Sequence, residues 1–291
     1  MKTTTTILIT AFLSLVSFRS DKPAYQLYTS DGKNVKYQKM IETISSADVV
    51  FFGELHDNPI AHWLEYEVTA DLYEIVADRL VMGAEMFEAD NQLLLDEYLS
   101  SAYEADKFEA EVKLWKNYKT DYKPLLEYAR KNNLPFIATN IPRRYASMVS
   151  KKGLEVLDSL SAQAREYIAP LPVYYDPEVK CYKDMLDMNG IQGMGGKPNE
   201  NLPKAQAIKD ATMAHFILKN LEPGKLFIHY NGSYHSDNYL GIIYYLKLYR
   251  PDIRVATIAT VLQDDIESLL SENSGVADFV VVIPANMTRT Y

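Results

Sequence analysis

The fold is decided by one stretch, which reads Val49-Val50-Phe51-Phe52-Gly53-Glu54-Leu55-His56-Asp57-Asn58-Pro59. Its apolar run is typical of a buried strand, and it ends at a glycine that a carboxylate and an imidazole soon follow. Asn58 is a good helix N-cap, and Pro59 suits the first helical position because its missing N–H would be unpaired there anyway. Open α/β sheets bind ligands beyond the carboxyl ends of their strands, so this turn predicts a functional site.

A second stretch repeats the design far downstream, as Leu226-Phe227-Ile228-His229-Tyr230-Asn231-Gly232-Ser233-Tyr234-His235. Again an apolar run meets a glycine, and a histidine follows three positions later. One such turn alone is a weak signal. Two turns of the same pattern on different predicted strands strengthen the prediction of a shared site.

The segments around these turns predict alternating strands and helices. Further strands are predicted at 80–87, 134–141, 253–261 and 278–283, and helices at 59–78, 149–168, 204–221 and 239–249. This alternation predicts an α/β fold with a mostly parallel sheet flanked by helices. The charged, helix-favouring residues 88–130 predict a helical insertion subdomain. Residues 169–203, rich in Pro, Gly, Met and Tyr, predict a mobile loop without regular structure.

The overall composition limits the classes of function. With 291 residues, of which 47% are hydrophobic, the chain can bury a substantial core, and we expect one domain over residues 21–291. The formal net charge of −9 argues against a nucleic-acid partner, because phosphates are neutralised by basic surfaces.

Residues 1–20 are predicted to be a secretory signal peptide. Lys2 precedes a mainly apolar run from Ile7 to Phe18, which is too short for a comfortable membrane span. We therefore expect an exported protein, periplasmic or associated with the cell surface. The one cysteine, Cys181, lies far from this run, so we see no lipobox cysteine, and a lone cysteine excludes an intrachain disulfide.

Five side chains at predicted strand ends are the candidate chemical groups: Glu54, His56, Glu85, Arg143 and His235. The ends of parallel strands share one edge, so these groups can converge. Two imidazoles and a carboxylate, here His56, Glu85 and His235, could hold a divalent metal such as zinc. Without a metal, a buried glutamate could act as general base while an arginine stabilises an oxyanion.

The same edge would also suit a haem site, in which imidazole or tyrosinate ligates the iron while arginine and histidine pair with the propionates. A purely structural role, in which the histidines satisfy backbone groups at the strand ends, is the remaining alternative.

Five segments in order carry a family resemblance: Gly53-Glu54-Leu55-His56-Asp57-Asn58-Pro59, Gly83-Ala84-Glu85-Met86-Phe87, Asn140-Ile141-Pro142-Arg143-Arg144, Gln206-Ala207-Ile208-Lys209-Asp210-Ala211-Thr212-Met213-Ala214 and Gly232-Ser233-Tyr234-His235. Together they resemble the ChaN-type iron-regulated proteins of the haem-binding-uptake/Tiki superfamily, whose relatives include erythromycin esterase and TraB. The resemblance covers roughly residues 36–285. It implies an α/β core with a helical subdomain, and haem binding shared across a dimer with tyrosine as the iron ligand.

The resemblance also implies roles for individual residues. Superfamily relatives use the matching acids and histidines for metal-dependent or hydrolytic chemistry, and in this sequence those are Glu54, His56, Glu85 and His235, with Arg143 as a further member. No motif identifies the haem tyrosine. The candidate cofactor contacts are Tyr175, Tyr182, Tyr234, Met185 and His215.

Two functions follow from these observations. The first is an exported haem-binding protein for haem or iron acquisition, with its pocket between the carboxyl edge of the sheet and residues 169–203. Its expected partners are haem or another small molecule, a second copy of the chain, and an outer-membrane haem receptor. The alternative is a metal-dependent hydrolase, of the esterase or peptidase type, that uses the paired turns.

Overall fold

A seven-stranded sheet forms the centre of the part of the chain that the computed structural model describes, residues 22–191 and 199–291. The strands are Gln26–Thr29 (β1), Val49–Glu54 (β2), Leu80–Glu88 (β3), Phe136–Asn140 (β4), Leu226–Gly232 (β5), Val255–Gln263 (β6) and Phe279–Pro284 (β7). Their spatial order is β1-β7-β6-β2-β5-β3-β4, and β1 alone among them runs antiparallel to its neighbour. The predicted mostly parallel α/β sheet is confirmed.

Helices cover both faces of this sheet. They are Tyr37–Ile44 (α1), Pro59–Val76 (α2), Gln92–Leu99 (α3), Ala105–Glu111 (α4), Lys123–Asn132 (α5), Arg143–Lys152 (α6), Ala162–Arg165 (α7), Lys180–Ile191 (α8), Asn201–Asn220 (α9) and Ile242–Tyr249 (α10). None of the helices in the described ranges is long and apolar enough to pass through a lipid bilayer.

The central strand β2 explains the depth of the core. All six of its residues are buried, because β5 and β6 flank it in parallel and helices cover both of its faces. Its side chains alternate between two cores: Val50 and Phe52 join the core on the α1–α5 side, while Val49 and Phe51 join the core that contains α6, α8, α9 and α10.

The turn after β2 has the predicted local structure. The Asn58 side chain accepts hydrogen bonds from the backbone N–H groups of Ile60 at 3.0 Å and Ala61 at 3.1 Å, and Pro59 is the first residue of α2. This cap satisfies two N–H groups that the first helical turn leaves without partners. The chain therefore turns from strand to helix immediately beyond Glu54 and His56.

Three segments differ in detail from the sequence predictions. The helix predicted at 149–168 is instead the end of α6, a 3₁₀ helix at Leu154–Ser159 and the four-residue α7. Residues 169–203 include the 12-residue helix α8, so the expectation of an irregular loop is wrong for residues 180–191. Strand β1 was not predicted, since four residues ahead of a Gly32 turn give too short a pattern. Residues 88–130 contain α3, α4 and most of α5. The predicted signal peptide at 1–20 lies outside the described residues.

Candidate functional site

The two glycine–histidine turns face each other at the carboxyl edge of the sheet. Strands β2 and β5 are adjacent, and Glu54 is paired in register with Gly232. The His56 imidazole packs directly on this glycine, because a Cβ built on Gly232 would lie only 2.7 Å from His56 Cε1. A glycine is needed here for close approach, and the predicted convergence of the turns is observed.

A cleft of about 570 Å³ opens at this edge. It is lined by His56, Glu85 and His235, together with Arg143 at the start of α6 and Met185 on α8. Residues that the sequence analysis did not select also line it, namely Trp115, Asn140, Gln206 and Lys209. A larger depression of about 820 Å³ lies near β1 and β7, but its lining includes no histidine, so the smaller cleft is the candidate site.

Glu85 and His235 line the cleft, and Asp210 lies behind His235; we call these three buried side chains the cleft triad. His235 Nε2 lies 3.2 Å from Glu85 Oε1, and its Nδ1 is hydrogen-bonded to Asp210 Oδ1. The second oxygen of each acid is also paired: Glu85 Oε2 accepts from the Gly232 N–H at 2.9 Å, and Asp210 Oδ2 accepts from the Tyr182 hydroxyl at 2.8 Å.

The cleft triad favours a charged imidazole. Burial by itself lowers the pKa of His235, but the negative charges of Glu85 and Asp210 outweigh it and raise that pKa to about 10. Burial likewise raises the pKa of Glu85, yet the charge of His235 lowers it well below its usual range. For Asp210 burial dominates, and its pKa is raised. The His235 imidazole, which lines the cleft, can therefore remain protonated at neutral pH.

A shift in strand pairing directs Glu85 toward the cleft. The register of β3 against β4 is broken between Ala84 and Glu88, and the Asn140 side-chain amide donates to the Glu85 carbonyl at 2.9 Å. Such irregularities re-aim side chains at sheet edges and beside functional sites. The bulge explains how an acid within an otherwise apolar strand reaches the cleft.

His56 lines the same cleft as Glu85 and His235. Its Nδ1 lies 2.6 Å from Glu54 Oε1, its ring meets Trp115 edge-on at 4.9 Å, and 36% of its side chain is exposed. Burial lowers the pKa of His56, but the hydrogen bond with Glu54 and the negative charges of Glu54 and Glu85 together outweigh it, so the pKa is raised overall. Glu54 itself lies behind His56, with its side chain fully buried.

Beneath His56 lies a second acid–histidine–acid group, which we call the buried triad: Glu54, His62 and Glu65. His62 Nδ1 lies 2.9 Å from Glu54 Oε2 and 2.9 Å from Glu65 Oε2. The other ring nitrogen, Nε2, lies 3.2 Å from the His56 carbonyl oxygen. Among the described residues this is the only trio of His, Cys, Asp or Glu whose ligand atoms all lie within 4.8 Å of one another.

The two acids of the buried triad differ in protonation. Burial and the negative charge of Glu54 raise the pKa of Glu65 to about 8. Burial also raises the pKa of Glu54, but the closeness of the His56 and His62 rings lowers it overall. For His62, burial lowers the pKa, whereas Glu54 and Glu65 together raise it to about 11. Glu54 and Glu65 therefore compete for the single buried imidazole of His62.

A family model described as haem-binding uptake, Tiki superfamily, ChaN matches residues 40–246, more than two thirds of the sequence. The chain belongs to this family. The matched segment contains the cleft triad, the buried triad and both glycine–histidine turns. The resemblance drawn from the five sequence motifs is thereby confirmed.

Individual relatives of the ChaN-type chain are distant. The Arabidopsis thaliana protein RETICULATA-RELATED 5, chloroplastic, is 26% identical over 203 residues, which are 66% of this chain and 27% of that protein. The solved structure of cofacial haem binding to ChaN of Campylobacter jejuni has a TM-score of 0.65 at 16% identity, over 90% of this chain and 97% of that one. An erythromycin esterase in its open conformation has a TM-score of 0.49 at 12% identity, over 89% and 83%.

Several residues selected from the sequence lie away from the cleft of this ChaN-type fold. Tyr182 is fully buried and donates to Asp210, Tyr175 lies beside its ring, and the Tyr234 hydroxyl donates to the Cys181 carbonyl. None of the three tyrosines is among the residues that line the cleft. His215 packs against Phe216 on α9 and is also absent from the lining. Their roles as cofactor contacts stay predictions.

The sequence analysis did not select Asp210, the second acid of the cleft triad, or Glu65, the second acid of the buried triad. Asp210 and Gln206 are one helical turn apart on α9, and Gln206 lies 3.1 Å from His235 Nε2. The i, i+4 spacing of Gln206 and Asp210 on a largely apolar helix was the sequence signal that could have indicated a shared polar partner. Glu65 is three positions after His62 on α2, where a fully buried acid among apolar neighbours indicates a specific partner.

Proposed function

We propose that this protein is an exported haem-binding protein for haem or iron acquisition and that haem occupies the cleft between the two glycine–histidine turns. Membership of the haem-binding uptake family supports haem as the ligand. The hydrogen bonding of the two His56 ring nitrogens is the observation that supports this position for haem. The Nδ1 of His56 is held by Glu54 at 2.6 Å, and within the described residues the Nε2 of His56 makes no hydrogen bond.

Such an imidazole is prepared to ligate iron. A carboxylate that accepts from one ring nitrogen fixes the orientation of the ring and raises the basicity of the other nitrogen. The 36% exposure of the His56 side chain leaves the ring accessible from the cleft. Haem bound here would supply an iron centre, and His56 is the residue that would hold that iron.

The rest of the cleft fits a large planar ligand with two carboxylates. Its volume of about 570 Å³ lies within the usual range for cofactor pockets. Trp115 and Met185 offer apolar contacts, and a thioether adapts well to irregular shapes. Arg143 and Lys209 line the same cleft and would pair with the propionates.

Export and assembly are parts of the same proposal. The apolar run at 7–18 supports secretion. A second copy of the chain and an outer-membrane haem receptor are the partners that we propose for a protein that receives and passes on haem. Size-exclusion chromatography with and without haem checks for the second copy, since a haem shared between copies makes dimerisation depend on haem.

Haem titration followed in the Soret region tests the ligand and its placement. We expect saturable binding by the wild-type chain, and at least a tenfold loss of affinity with an altered Soret band for His56→Ala. His215→Ala, a histidine change outside the cleft, is the matched control and should bind as wild type does. The Phe variants of Tyr175, Tyr182 and Tyr234 should also retain the wild-type band.

Two outcomes contradict the proposal at different levels. Absence of any spectral change with the wild-type chain removes haem binding altogether. Loss of the band in one tyrosine variant, together with a wild-type band in His56→Ala, assigns the iron to that tyrosine instead.

A second function is favoured by the cleft triad. His235 is held between two acids and lines the same cleft as His56, an arrangement that suits general acid–base chemistry and supports the metal-dependent hydrolase alternative. Metal analysis and assays on ester and peptide panels, with His235→Gln as the inactive comparison, test it. Absence of both bound metal and turnover would count against this function.

A further inference from the structure

The buried triad contains carboxylate oxygens that the surrounding chain does not satisfy. His62 Nδ1 carries at most one hydrogen, although it lies 2.9 Å from an oxygen of Glu54 and 2.9 Å from an oxygen of Glu65. The hydrogen bond goes to Glu65, so Glu54 Oε2 is buried without a hydrogen-bond donor despite its closeness to the ring. Glu65 Oε1 is also buried and unpaired. Buried oxygens in this state are rare and costly.

We propose that Glu54, His62 and Glu65 bind one divalent metal ion, at a site separate from the cleft. The ligand atoms all lie within 4.8 Å of one another and come from residues that are buried. The two separations of 2.9 Å suit neighbouring ligands of one ion, because two atoms each about 2.1 Å from a metal and at a right angle are about 3.0 Å apart.

The hydrogen bonds around the triad have the arrangement that metal sites require. His62 Nε2 lies 3.2 Å from the His56 carbonyl oxygen, so an Nε2–H there leaves the Nδ1 lone pair for the ion. Glu54 Oε1 accepts from the Tyr122 hydroxyl at 2.8 Å and pairs with His56 Nδ1 at 2.6 Å, which fixes the carboxylate and leaves Oε2 for the metal.

The donor set indicates the class of metal. One imidazole nitrogen with two carboxylate oxygens suits Zn²⁺, Mn²⁺ or Fe²⁺, whereas Ca²⁺ requires six to eight oxygen ligands. This set is different from His56, Glu85 and His235, the metal ligands predicted from the sequence. Because the triad lies beneath His56 and not in the cleft lining, the ion would support the position of His56 through Glu54 without touching a ligand in the cleft.

Metal binding by the whole chain tests this site. The protein is stripped with EDTA and dialysed, and Mn²⁺ or Zn²⁺ alone is then added while bound metal and melting temperature are measured. We expect one equivalent of metal and a higher melting temperature. Glu65→Gln should weaken metal binding at least tenfold, because it removes one of two charged ligands. Glu74→Gln, a change on the same helix outside the triad, is the control and should leave binding unchanged.

Three results would overturn the proposal. The first is a wild-type chain that neither retains metal nor gains stability from it, which would mean that a proton resolves the competition between the acids. The second is a Glu65→Gln variant that binds metal as tightly as wild type. The third is an anomalous diffraction peak for Mn²⁺ or Zn²⁺ in the cleft and none between Glu54, His62 and Glu65, a measurement on the wild-type chain that does not depend on any variant folding.

Discussion

The cleft triad and the buried triad contain the same chemical groups but differ in how they are paired. In the cleft triad each ring nitrogen of His235 meets one acid, and the second oxygen of each acid has its own donor. In the buried triad both acids meet the same nitrogen of His62, while the other nitrogen lies 3.2 Å from the His56 carbonyl oxygen and 3.5 Å from Asp121 Oδ2. In the first arrangement a protonated ring pairs with one acid at each nitrogen, whereas in the second the Glu54 Oε2 and Glu65 Oε1 atoms stay buried without a donor.

This difference shows that an acid–histidine–acid pattern does not define a function by itself. The number of hydrogens available to the acids decides whether such a group is a satisfied ion pair or a site that needs a cation. Replacing one acid should therefore destabilise the protein strongly in the cleft triad and only slightly in the buried triad.

The largest effect is expected from matched amide substitutions, Glu85→Gln and Glu65→Gln. Glu85→Gln leaves a buried imidazolium with one acid, and we expect a loss of about 3 kcal/mol in the free energy of unfolding. The pKa of Glu65 is raised to about 8, so this acid is already neutral at pH 7, and Glu65→Gln measured in EDTA should change that free energy by less than about 1 kcal/mol. Urea denaturation provides both values. Equal losses in the two variants would show that the triads are equivalent.

The pH dependence of stability gives an intermediate effect. The folded pKa of His235 is raised to about 10, above the value of about 6.5 for an unfolded chain, because Glu85 and Asp210 outweigh burial. This contribution to stability is therefore fully present below about pH 6.5 and is lost as pH rises through 10. From His235 alone we expect the free energy of unfolding to fall by roughly 2.5 kcal/mol between pH 7 and 9.

Comparison with His235→Gln assigns this pH effect to one triad. The variant should show a flatter profile over the same range, because it lacks the group whose proton is bound more tightly in the folded chain. A profile as steep as that of wild type would instead attribute the slope to His62 and Glu65, whose pKa values are also raised.

The smallest effects are expected from removing one tyrosine hydroxyl at each triad. Tyr182→Phe leaves Asp210 Oδ2 without its donor, whereas after Tyr122→Phe the Glu54 Oε1 atom keeps its 2.6 Å contact with His56. We expect losses of about 2 kcal/mol and about 1 kcal/mol respectively, measured by urea denaturation. A larger loss for Tyr122→Phe would indicate that Glu54 depends on the hydroxyl more than on His56.

The sequence predicts the frame of the site because strand periodicity and turn chemistry are local signals. Gly53 and Gly232 mark the ends of two adjacent parallel strands, and parallel geometry then places His56 beside the second turn. Asp210 could not be assigned in this way, since a helical acid reaches His235 only after α9 has packed on the sheet. Similarly, Trp115 lies in the helical insertion, and its contact with His56 depends on tertiary packing that no local pattern encodes.

Glu54 belongs to both regions of the molecule, because one of its oxygens holds His56 while the other points toward His62. An occupant of the cleft that pulls on the His56 ring must therefore change how strongly Glu54 attracts a cation below. By thermodynamic reciprocity, filling the lower site must change the affinity above by the same factor. Occupancy of the proposed metal site and occupancy of the cleft are thus expected to depend on each other through the Glu54 carboxylate.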